Sequence, residues 1–586
     1  GRVAGVSMRP NGGQPGSDAA EIHIRGIGTT GNNQPLIVVD GIIRNNINQI
    51  DPSTIEAVTV LKDAAAVAPY GLGGANGVIL ITTKRGKNGE PTLTLNSYYG
   101  TQTPTYYPDL LSAQDYMRLK NEAYLNENPA GVNLPYATDL VENYLTLNAE
   151  DPDKYPISNT KDLVNMHAPM QNYNLQLSGG AGKIKYFMGL GYYKQNGMFD
   201  PVKYTRYNYN MNLEAQATKT TTVSLSLIGS VENTQSIDAA INATNLFRSG
   251  FKYIPIQNLY YTNGLWSEFA GNSPVGILNA GYNRNLNNTL LTTLSVEQKL
   301  PFIKGLSLRG TFSYDPNQRT SKGWHTPFYF YSQNTSTTPY TYTRQISTAE
   351  GNAAAFTWLN QQYSRNQTFT YQGYLNYHNT FGKHDITGLI VAEARNNVAD
   401  TFSARRNNFV INIDELSLGS SNKNDFDNGG ISASGSQIGY VYRVGYNYDG
   451  RYLFEASGRY DGHYYFAPGK RWGYFPAFSA GWVLSQEEFF NRGLPWFDNF
   501  KLRGSWGKSG NLTGTAFQYL PGYNVYGNAY AYGIGSMVQA SFSPREANPN
   551  ITWEVATKTD VGFESSLWKG LLTVEADYFH EKRTGM

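Results

Sequence analysis

Residues 54–86 are TIEAVTVLKDAAAVAPYGLGGANGVILITTKRG, and this stretch decides the fold of the first part of the chain. It opens with an apolar strand pattern over Ile55–Leu61 and closes with a second one over residues 78–82. Between them the chain turns through a segment of alanines and glycines. Because glycine tolerates close approach of two backbones, the pattern predicts two strands joined by a crowded crossing in a compact sheet.

The glycines do not form a nucleotide-binding loop. The stretch contains neither G-x-x-x-x-G-K-[ST] nor G-x-G-x-x-G. One G-x-G-x-x-G occurs at residues 26–31, but a loop and the strand pattern PLIVVDG follow it instead of a helix. That motif therefore lacks the strand-then-helix context that a dinucleotide site needs.

The composition leaves two classes of β protein. Lysine plus arginine (47) nearly balance aspartate plus glutamate (45), which gives no electrostatic basis for nucleic-acid binding. The absence of cysteine excludes disulfide scaffolds, thiolate metal sites and cysteine nucleophiles. The chain is rich in tyrosine (45 residues), has a mean hydropathy of −0.45, and contains no run of 18 apolar residues. A large soluble β protein and a membrane β-barrel with a polar lumen both fit these values.

Beyond residue 90 the sequence changes to long strands in which apolar and polar residues alternate. The clearest covers residues 207–215, where one face carries tyrosine, methionine, leucine and alanine, and the other carries Asn208, Asn210, Asn212 and Glu214. A strand between lipid and water has this pattern. It predicts that arginine at Leu213 damages membrane assembly far more than arginine at Asn212. A soluble sandwich would alternate in the same way, so the pattern alone does not decide.

The lengths of the connections favour the membrane barrel. About fifteen such strands are predicted, near residues 92–100, 171–179, 184–196, 203–217, 220–233, 288–300, 304–315, 366–380, 384–396, 434–448, 451–461, 474–485, 499–508, 555–567 and 571–582. Short connections of a few residues alternate with long ones at 101–170, 234–287, 316–365, 397–433 and 509–554. Tight turns at one end and long loops at the other are typical of outer-membrane barrels. The connections 197–202 and 486–498 fit this rule less well.

The sequence also resembles the SusC/RagA-type TonB-dependent outer-membrane transporters. The resemblance rests on residues 54–86, on GRVAGV from Gly1, IHIRGIG from Ile22 and PLIVVDG from Pro35. It resumes with RYLFEASGRYDG from Arg451, RWGYFPAFSAGWVLS from Arg471, FKLRGSWGKSGN from Phe500 and NPNITWEVATKTDVGFE from Asn548. Residues 101–430 agree in strand pattern only.

The resemblance implies an all-β membrane protein with a plug domain, residues 1–90, inside a transmembrane β-barrel, residues 91–586. Barrels with a plugged lumen have 22 strands, so we expect about seven more strands and a fragment shortened at both ends. The residues of the plug motif are Arg25, Gly26, Asp40, Gly41, Lys62, Asp63, Gly74, Asn76 and Gly77. The chain departs from the family at Leu72-Gly73, where a Ser-Arg pair is usual, and at Pro69 and His23.

Four charged residues of the plug motif, Arg25, Asp40, Lys62 and Asp63, are predicted to form an ionic network with the polar lumen. Such contacts can change partners, so the plug is predicted to move as a rigid body when energy is delivered. The alternative is that these charges occupy ordinary solvated turns at strand ends.

No catalytic, cofactor or metal site is predicted. The seven histidines form no HExxH motif, and no G-x-S-x-G occurs. The carboxylates Asp560 and Glu564 could be taken for a glycosidase pair, but an alternating lumen face explains them. Residues 421–430 lack the spacing of a calcium loop and are predicted to be a solvated loop.

Aromatic clusters in the long loops are candidate contacts to substrate or to a protein lid, since flat rings beside amides suit stacking on sugars and peptides. They are Tyr253, Tyr260, Tyr261 and Trp266 in one loop, and Trp324, Tyr329 and Tyr331 in another. The alternative is that these rings pack one loop on another.

The resemblance implies import of a nutrient, an oligosaccharide or a peptide, across the outer membrane of a Gram-negative bacterium. It also implies a SusD-like surface lipoprotein as a lid, and TonB as the source of energy through a segment before Gly1. It implies no enzyme activity. The alternatives are a siderophore-type receptor without a lid, and a soluble β-sandwich enzyme or adhesin acting on carbohydrate.

Overall fold

A computed structural model describes residues 3–10, 12–16, 20–44, 47, 50–71, 73–238, 252–268, 273–346, 356–512, 514–531, 537–543 and 546–585. Leu72, one of the departures from the family pattern, lies outside the described residues. The elements of the first unit are, in chain order, β1 (Val6–Pro10), β2 (Ala20–Ile24), β3 (Leu36–Val39), β4 (Ile42–Arg44), β5 (Ile55–Leu61), α1 (Ala64–Val67) and β6 (Val78–Thr83).

Residues 54–86 form two strands, β5 and β6, of a four-stranded sheet. The sheet has the order β4-β3-β6-β5, with β3 and β6 parallel and the other pairs antiparallel. The crossing between β5 and β6 consists of α1 and two short 3-10 turns. Gly77 has a φ of 85°, and a Cβ atom there would lie 2.8 Å from Ile24 Cδ1 and 3.1 Å from the Leu61 carbonyl. Glycine is therefore needed where the crossing re-enters the sheet.

The remaining elements form one large antiparallel sheet and the connections between its strands. They are, in chain order, β7 (Gly89–Gln102), α2 (Ala113–Glu127), α3 (Thr138–Glu150), β8 (Ala168–Ala181), β9 (Ile184–Asn196), β10 (Lys203–Gln216), β11 (Thr221–Ser236), α4 (Pro274–Asn279), β12 (Gly281–Lys299), β13 (Leu306–His325), β14 (Tyr329–Asn334), β15 (Thr341–Ile346), β16 (Trp358–Phe381), β17 (His384–Asn407), β18 (Phe426–Tyr448), β19 (Tyr452–His463), β20 (Trp472–Val483), α5 (Glu488–Gly493), β21 (Phe497–Asn511), β22 (Asn524–Ala531), β23 (Met537–Phe542), β24 (Glu554–Leu567) and β25 (Leu572–Thr584).

The large sheet, called the wall below, has 15 strands, each paired with its neighbours in the chain once the short hairpins β14–β15 and β22–β23 are left aside. This confirms the fifteen strands predicted from the alternating sequence. Short connections join the strands at one end, for example 182–183 and 382–383, and most connections at the other end are long. We call these the turn end and the loop end. The connection 484–496 is long for the turn end because it carries α5.

The two faces of the wall reverse the usual distribution of polarity. On β10, Asn210 is only 4% exposed whereas Tyr207 is 52% exposed. Leu190 and Leu294 are likewise exposed, while polar residues such as Gln372 are buried. Polar residues line the inside, against the first unit, and apolar residues cover the outside, which is the arrangement of a barrel wall in lipid.

The connection between β7 and β8 contains the helices α2 and α3, which were not predicted from the sequence. Ser112 caps α2, its hydroxyl accepting from the Asp115 amide, and the two helices pack through Met117, Val141 and Tyr144. Burial raises the pKa of Tyr144 to about 12, and its hydroxyl donates to the Pro156 carbonyl. Within the described ranges, no helix is both long and apolar enough to span a membrane.

The structure revises the expected tolerance of arginine at Asn212. Its Nδ2 donates to Thr83 Oγ1 (3.1 Å) and to the Lys84 carbonyl (2.7 Å), so this side chain holds the first unit against the wall. A better comparison uses Leu190, which is 60% exposed near the middle of β9, and Asn287, whose Nδ2 lies 3.0 Å from Glu232 Oε2.

Leu190→Arg is expected to impair assembly of the full-length protein in the outer membrane, whereas Asn287→Lys is expected to assemble normally. A cation at the lipid face near the bilayer midplane costs about 2–4 kcal/mol, while a lysine at position 287 faces a carboxylate. Heat-modifiable mobility of the membrane-extracted protein measures the folded fraction. Equal folded fractions for the two variants would contradict the assignment of the faces.

Candidate functional site at the contact between plug and wall

The first unit, called the plug below, lies against the polar face of the wall and contacts it through charged side chains. Arg25 follows β2 in the left-handed conformation (φ 59°), and this conformation turns the chain between β2 and Gly26 (φ 92°). Its Nη2 donates to Asp63 Oδ1 (3.1 Å) and to Asp560 Oδ2 (2.6 Å) on β24. The guanidinium also lies 4.2 Å from the ring centre of Phe579 on β25. Arg25 therefore joins two parts of the plug to the wall.

Asp63 extends this contact, called the Arg25 network below, to a third strand. Its Oδ2 accepts from Arg503 Nη1 on β21 at 3.2 Å. The Nη2 of the same arginine donates to Glu575 (2.8 Å) and to Asp577 (2.6 Å) on β25. Plug and wall charges thus form one continuous chain of ion pairs over β21, β24 and β25.

A second network centres on Arg459 of β19, whose side chain is 3% exposed. Its guanidinium donates to Glu393 (2.9 Å), to Asp461 (2.5 Å) and to the Pro69 carbonyl of the plug (3.2 Å). A Cβ atom at Gly71 (φ 72°) would lie 2.2 Å from the Arg459 Nε atom, so only glycine leaves room for the arginine. Arg459 thus holds the plug turn around Pro69 and Gly71 to the wall.

A third group of contacts holds the carbonyl of Ala75. It accepts from Lys558 Nζ (2.6 Å) and from Arg583 Nη2 (3.2 Å). Arg583 also donates to Asn76 Oδ1 (3.0 Å), while Asn76 Nδ2 donates to the Asn32 carbonyl (2.7 Å). The side chain of Asn76 therefore joins an inner plug loop to the wall.

On the opposite side, the side-chain amides of wall residues contact the plug. Asp51 Oδ2 accepts from Asn174 Nδ2 (2.9 Å) on β8 and from Asn208 Nδ2 (3.3 Å) on β10. Lys84 donates to Gln176 Oε1 at 3.2 Å. These contacts explain why β8 and β10 have inward faces rich in asparagine and glutamine.

Two of the four charged plug residues do not join a network with the wall. Asp40 accepts from the Thr83 amide (3.0 Å) and hydroxyl (2.7 Å), and so ties the end of β3 to β6 within the plug. Lys62 makes no hydrogen bond or ion pair with any described residue. Gly41 (φ 88°) follows Asp40 in the turn before β4, and Gly74 begins the 3-10 turn before Gly77.

The basic wall residues of these networks were not identified from the sequence. The signal for them is a charged residue on the inward face of an alternating strand, which Arg459, Arg503, Lys558 and Arg583 all satisfy. Alternation gives the face of such a residue but does not give its partner across the lumen.

The contact between plug and wall also has an apolar part. The sequence had led us to expect polar contacts there. Ile228 of β11 and Leu291 of β12 are buried in one cluster with Ile24, Ile79 and Ile81 of the plug. On the other side, Ala65 and Ala68 pack on Ala477 of β20. Movement of the plug must therefore separate a small apolar surface as well as exchange ion pairs.

Most of the loop aromatic residues pack on other loops. Tyr253, Tyr261 and Trp324 are buried, and Trp324 packs edge-on against Phe409 with ring centres 4.9 Å apart. Tyr261 donates to the Tyr331 carbonyl (3.1 Å), and the Tyr331 amide donates to the Trp266 carbonyl (2.8 Å). Burial raises the pKa of Tyr261 above its usual value. The two predicted clusters thus meet each other, and Tyr260 (49% exposed) and Tyr329 (41% exposed) keep accessible rings.

Comparison with known families gives two matches along the chain. Residues 1–78 match the family described as TonB-dependent Receptor Plug Domain. Residues 245–586 match the family described as TonB dependent receptor-like, beta-barrel.

Curated relatives cover nearly the whole chain. TonB-dependent receptor P26 of Formosa agariphila is 28% identical over 99% of this chain and 56% of its own length. TonB-dependent receptor SusC of Bacteroides thetaiotaomicron is 26% identical over 99% of this chain and 56% of its own length. The chain thus spans about half the length of the curated relatives it matches.

Solved structures share the fold. The RagAB peptide importer in its closed-closed state gives a TM-score of 0.82 at 19% identity, over 100% of this chain and 65% of that one. The siderophore receptor PirA of Acinetobacter baumannii gives 0.52 at 14% identity, over 99% of this chain and 66% of that one.

Proposed function

The chain belongs to the TonB-dependent receptor family of the outer membrane, and from this premise we propose that it takes part in energy-coupled import of a nutrient. The single observation that carries the proposal is the plug held against the inner face of the wall by charged contacts, among them those of Arg25, Arg459 and Lys558. A plug in this position closes the lumen, so a solute passes only if the plug shifts or changes shape.

The contacts are of a kind that can be exchanged. In the Arg25 network, Arg25, Asp63 and Arg503 each contact two or more groups, so each of them has a second partner close by. We propose that a pull from TonB on the plug breaks the contacts between plug and wall while the wall pairs remain. Arg503 then keeps Glu575 and Asp577 as partners, which lowers the cost of moving the plug.

We propose a peptide or an oligosaccharide as the substrate and a SusD-like lipoprotein as a lid over the loop end. The TM-score is higher for the RagAB peptide importer (0.82) than for the siderophore receptor PirA (0.52), and this supports a transporter with a lid over a receptor without one. Apolar residues at the loop end, among them Val410 (96% exposed), Ile411 and Ile413, offer a surface on which a lid can dock. We propose Tyr260 and Tyr329 as aromatic contacts to the substrate or the lid.

Uptake by whole cells tests this function. A strain that lacks the receptor is supplied with the full-length gene, and uptake of fluorescent peptide and oligosaccharide pools is measured with and without functional TonB. We expect that one of the two pools is taken up and that its uptake requires both the receptor and TonB. We also expect a lipoprotein to co-purify with the receptor. Uptake that is unchanged by loss of the receptor, or that persists without TonB, would contradict the proposal.

A further inference from the structure

A polar cavity of about 470 Å³ lies between the plug and the wall. The plug contributes Gly16, Ile43 and Arg44 to its lining. The wall contributes residues in the middle and in the loop half of β11, β12, β13, β16 and β17, among them Glu232, Asp315 and Arg395. The cavity thus lies on the side of the plug that faces the loop end.

Arg44 of β4 is buried in this lining with unused donors. Its side chain is 3% exposed, its Nε donates to Asp315 Oδ2 (3.1 Å), and its Nη2 donates to Thr293 Oγ1 (3.0 Å). The Nη1 atom is buried and has no hydrogen-bond partner among the described residues. Leaving a buried donor of a charged group unpaired is costly, so the position calls for an acceptor that is not part of the chain described.

Arg395 of β17 is a second cation in the lining. No hydrogen bond or ion pair ends on it within the part of the chain that the structure describes. It interacts electrostatically with Glu393, Asp315 and Arg44, but both carboxylates already have closer partners. Glu393 is held by Arg459 (2.9 Å), and Asp315 accepts from Arg44 and from the Thr292 amide (3.1 Å).

The other charged residues of the cavity are also engaged. Glu232 accepts from Tyr204 (3.1 Å) and Asn287 (3.0 Å), and Arg319 donates to Asn285 Oδ1 (2.9 Å). The lining therefore carries three arginines against two carboxylates, and the cationic groups left without full contacts are Arg44 and Arg395.

We propose that Arg44 and Arg395 bind a carboxylate of the imported substrate at the plug. The guanidinium group matches the geometry of a carboxylate and forms charge-assisted hydrogen bonds to it. Asparagine and threonine side chains elsewhere in the lining, such as Asn317 and Thr368, suit the neutral amides or hydroxyls of the same molecule. The carboxylate belongs to a peptide or to a uronic acid unit of an oligosaccharide. The inference rests on the proposed import function and narrows its substrate class.

Binding to the purified full-length receptor tests the site. The receptor in detergent is incubated with an equimolar pool of four probes: short peptides with a free terminal carboxylate, the same peptides as terminal amides, oligogalacturonates, and neutral malto-oligosaccharides. Native mass spectrometry measures which probes are retained. We expect one of the two carboxylate probes to be retained, and its identity tells whether the acid comes from a peptide or a sugar.

Arg395→Gln is the decisive variant, because it removes a charge without leaving a partner unpaired in the described residues. We expect it to weaken retention of the carboxylate probe by roughly 10- to 100-fold. Arg284→Gln is the matched control, since Arg284 lies on β12 outside the cavity and donates to Gln235. It is expected to retain the probe as the parent protein does.

Three results would overturn the inference: retention of the amides or neutral sugars as strongly as the acids, retention of no carboxylate probe, or full retention by Arg395→Gln. The measurement uses neither TonB nor an energised membrane. Binding of a carboxylate probe without uptake in cells would therefore contradict the proposed import function but not the proposed binding site. If cells take up a probe that lacks a carboxylate, this result would contradict the proposed binding site but not the proposed import function.

Discussion

Import is expected to stop when Ala68→Cys and Ala477→Cys are combined and oxidised to a disulfide, and to return when the disulfide is reduced. Ala68 of the plug and Ala477 of β20 are both buried in one cluster of small side chains, so cysteines there lie in the same part of the plug–wall contact. The 586 residues contain no cysteine that could form a competing pair. Ion pairs can change partners under a pull, but a covalent bond cannot.

Two controls separate plug movement from a general effect of cross-linking. Ser224→Cys with Ser295→Cys places a pair on directly opposed positions of β11 and β12, within the wall only. Oxidation of this pair is expected to leave import unchanged. Each single variant at positions 68 and 477 should also import normally under oxidising conditions. Normal import by the oxidised 68–477 pair, with the cross-link verified by mass, would show that the plug need not move.

The second large effect is expected for Arg459→Met, which should destabilise the folded protein by about 3–5 kcal/mol. The substitution keeps most of the side-chain volume but leaves Glu393 and Asp461 buried without their cation and the Pro69 carbonyl without its donor. Unpaired buried charges carry the full cost of desolvation. The unfolding midpoint of the detergent-solubilised protein in denaturant measures the loss.

The effect should be specific to the buried network. Arg443→Met removes an ion pair with Glu455, but the Arg443 side chain is 47% exposed, so little stability should be lost. Adding Glu393→Gln and Asp461→Asn to Arg459→Met should recover much of the stability, because no unpaired carboxylate is then left beside position 459. Equal midpoints for Arg459→Met and Arg443→Met would contradict the importance of this network.

The wall could be predicted from sequence because its signal is local. Each of the fifteen strands carries its own period of two, and the strand β5 has the bounds that its apolar pattern gave. Exposure of Tyr207 and burial of Asn210 follow from the same period. Glycine likewise marks the crossing of the plug, since positions such as Gly77 need a positive φ and close approach.

The partners across the lumen could not be predicted, since they are distant in sequence. Arg25 and Asp560 are 535 residues apart in the sequence. The alternation of apolar and polar residues along β24 indicates that Asp560 faces inward, but it does not identify the residue that Asp560 contacts. The same limit applies to the loops. Tyr261 and Tyr331 lie 70 residues apart, and nothing in either loop shows that one packs on the other. The helices α2 and α3 were missed because they lie in a long connection between strands, where the strand alternation gives no signal.

The most direct measurement of plug movement uses Ala68→Cys alone, in cells, with a small membrane-impermeant thiol reagent. Ala68 is 4% exposed in the contact with the wall, so a cysteine there should react slowly while the plug is at rest. A cysteine at Ser336, in the exposed hairpin turn between β14 and β15, serves as the reference that reacts under all conditions. We predict that labelling at position 68 accelerates only when substrate is present and the inner membrane is energised. The same slow rate at position 68 during normal import would contradict a moving plug.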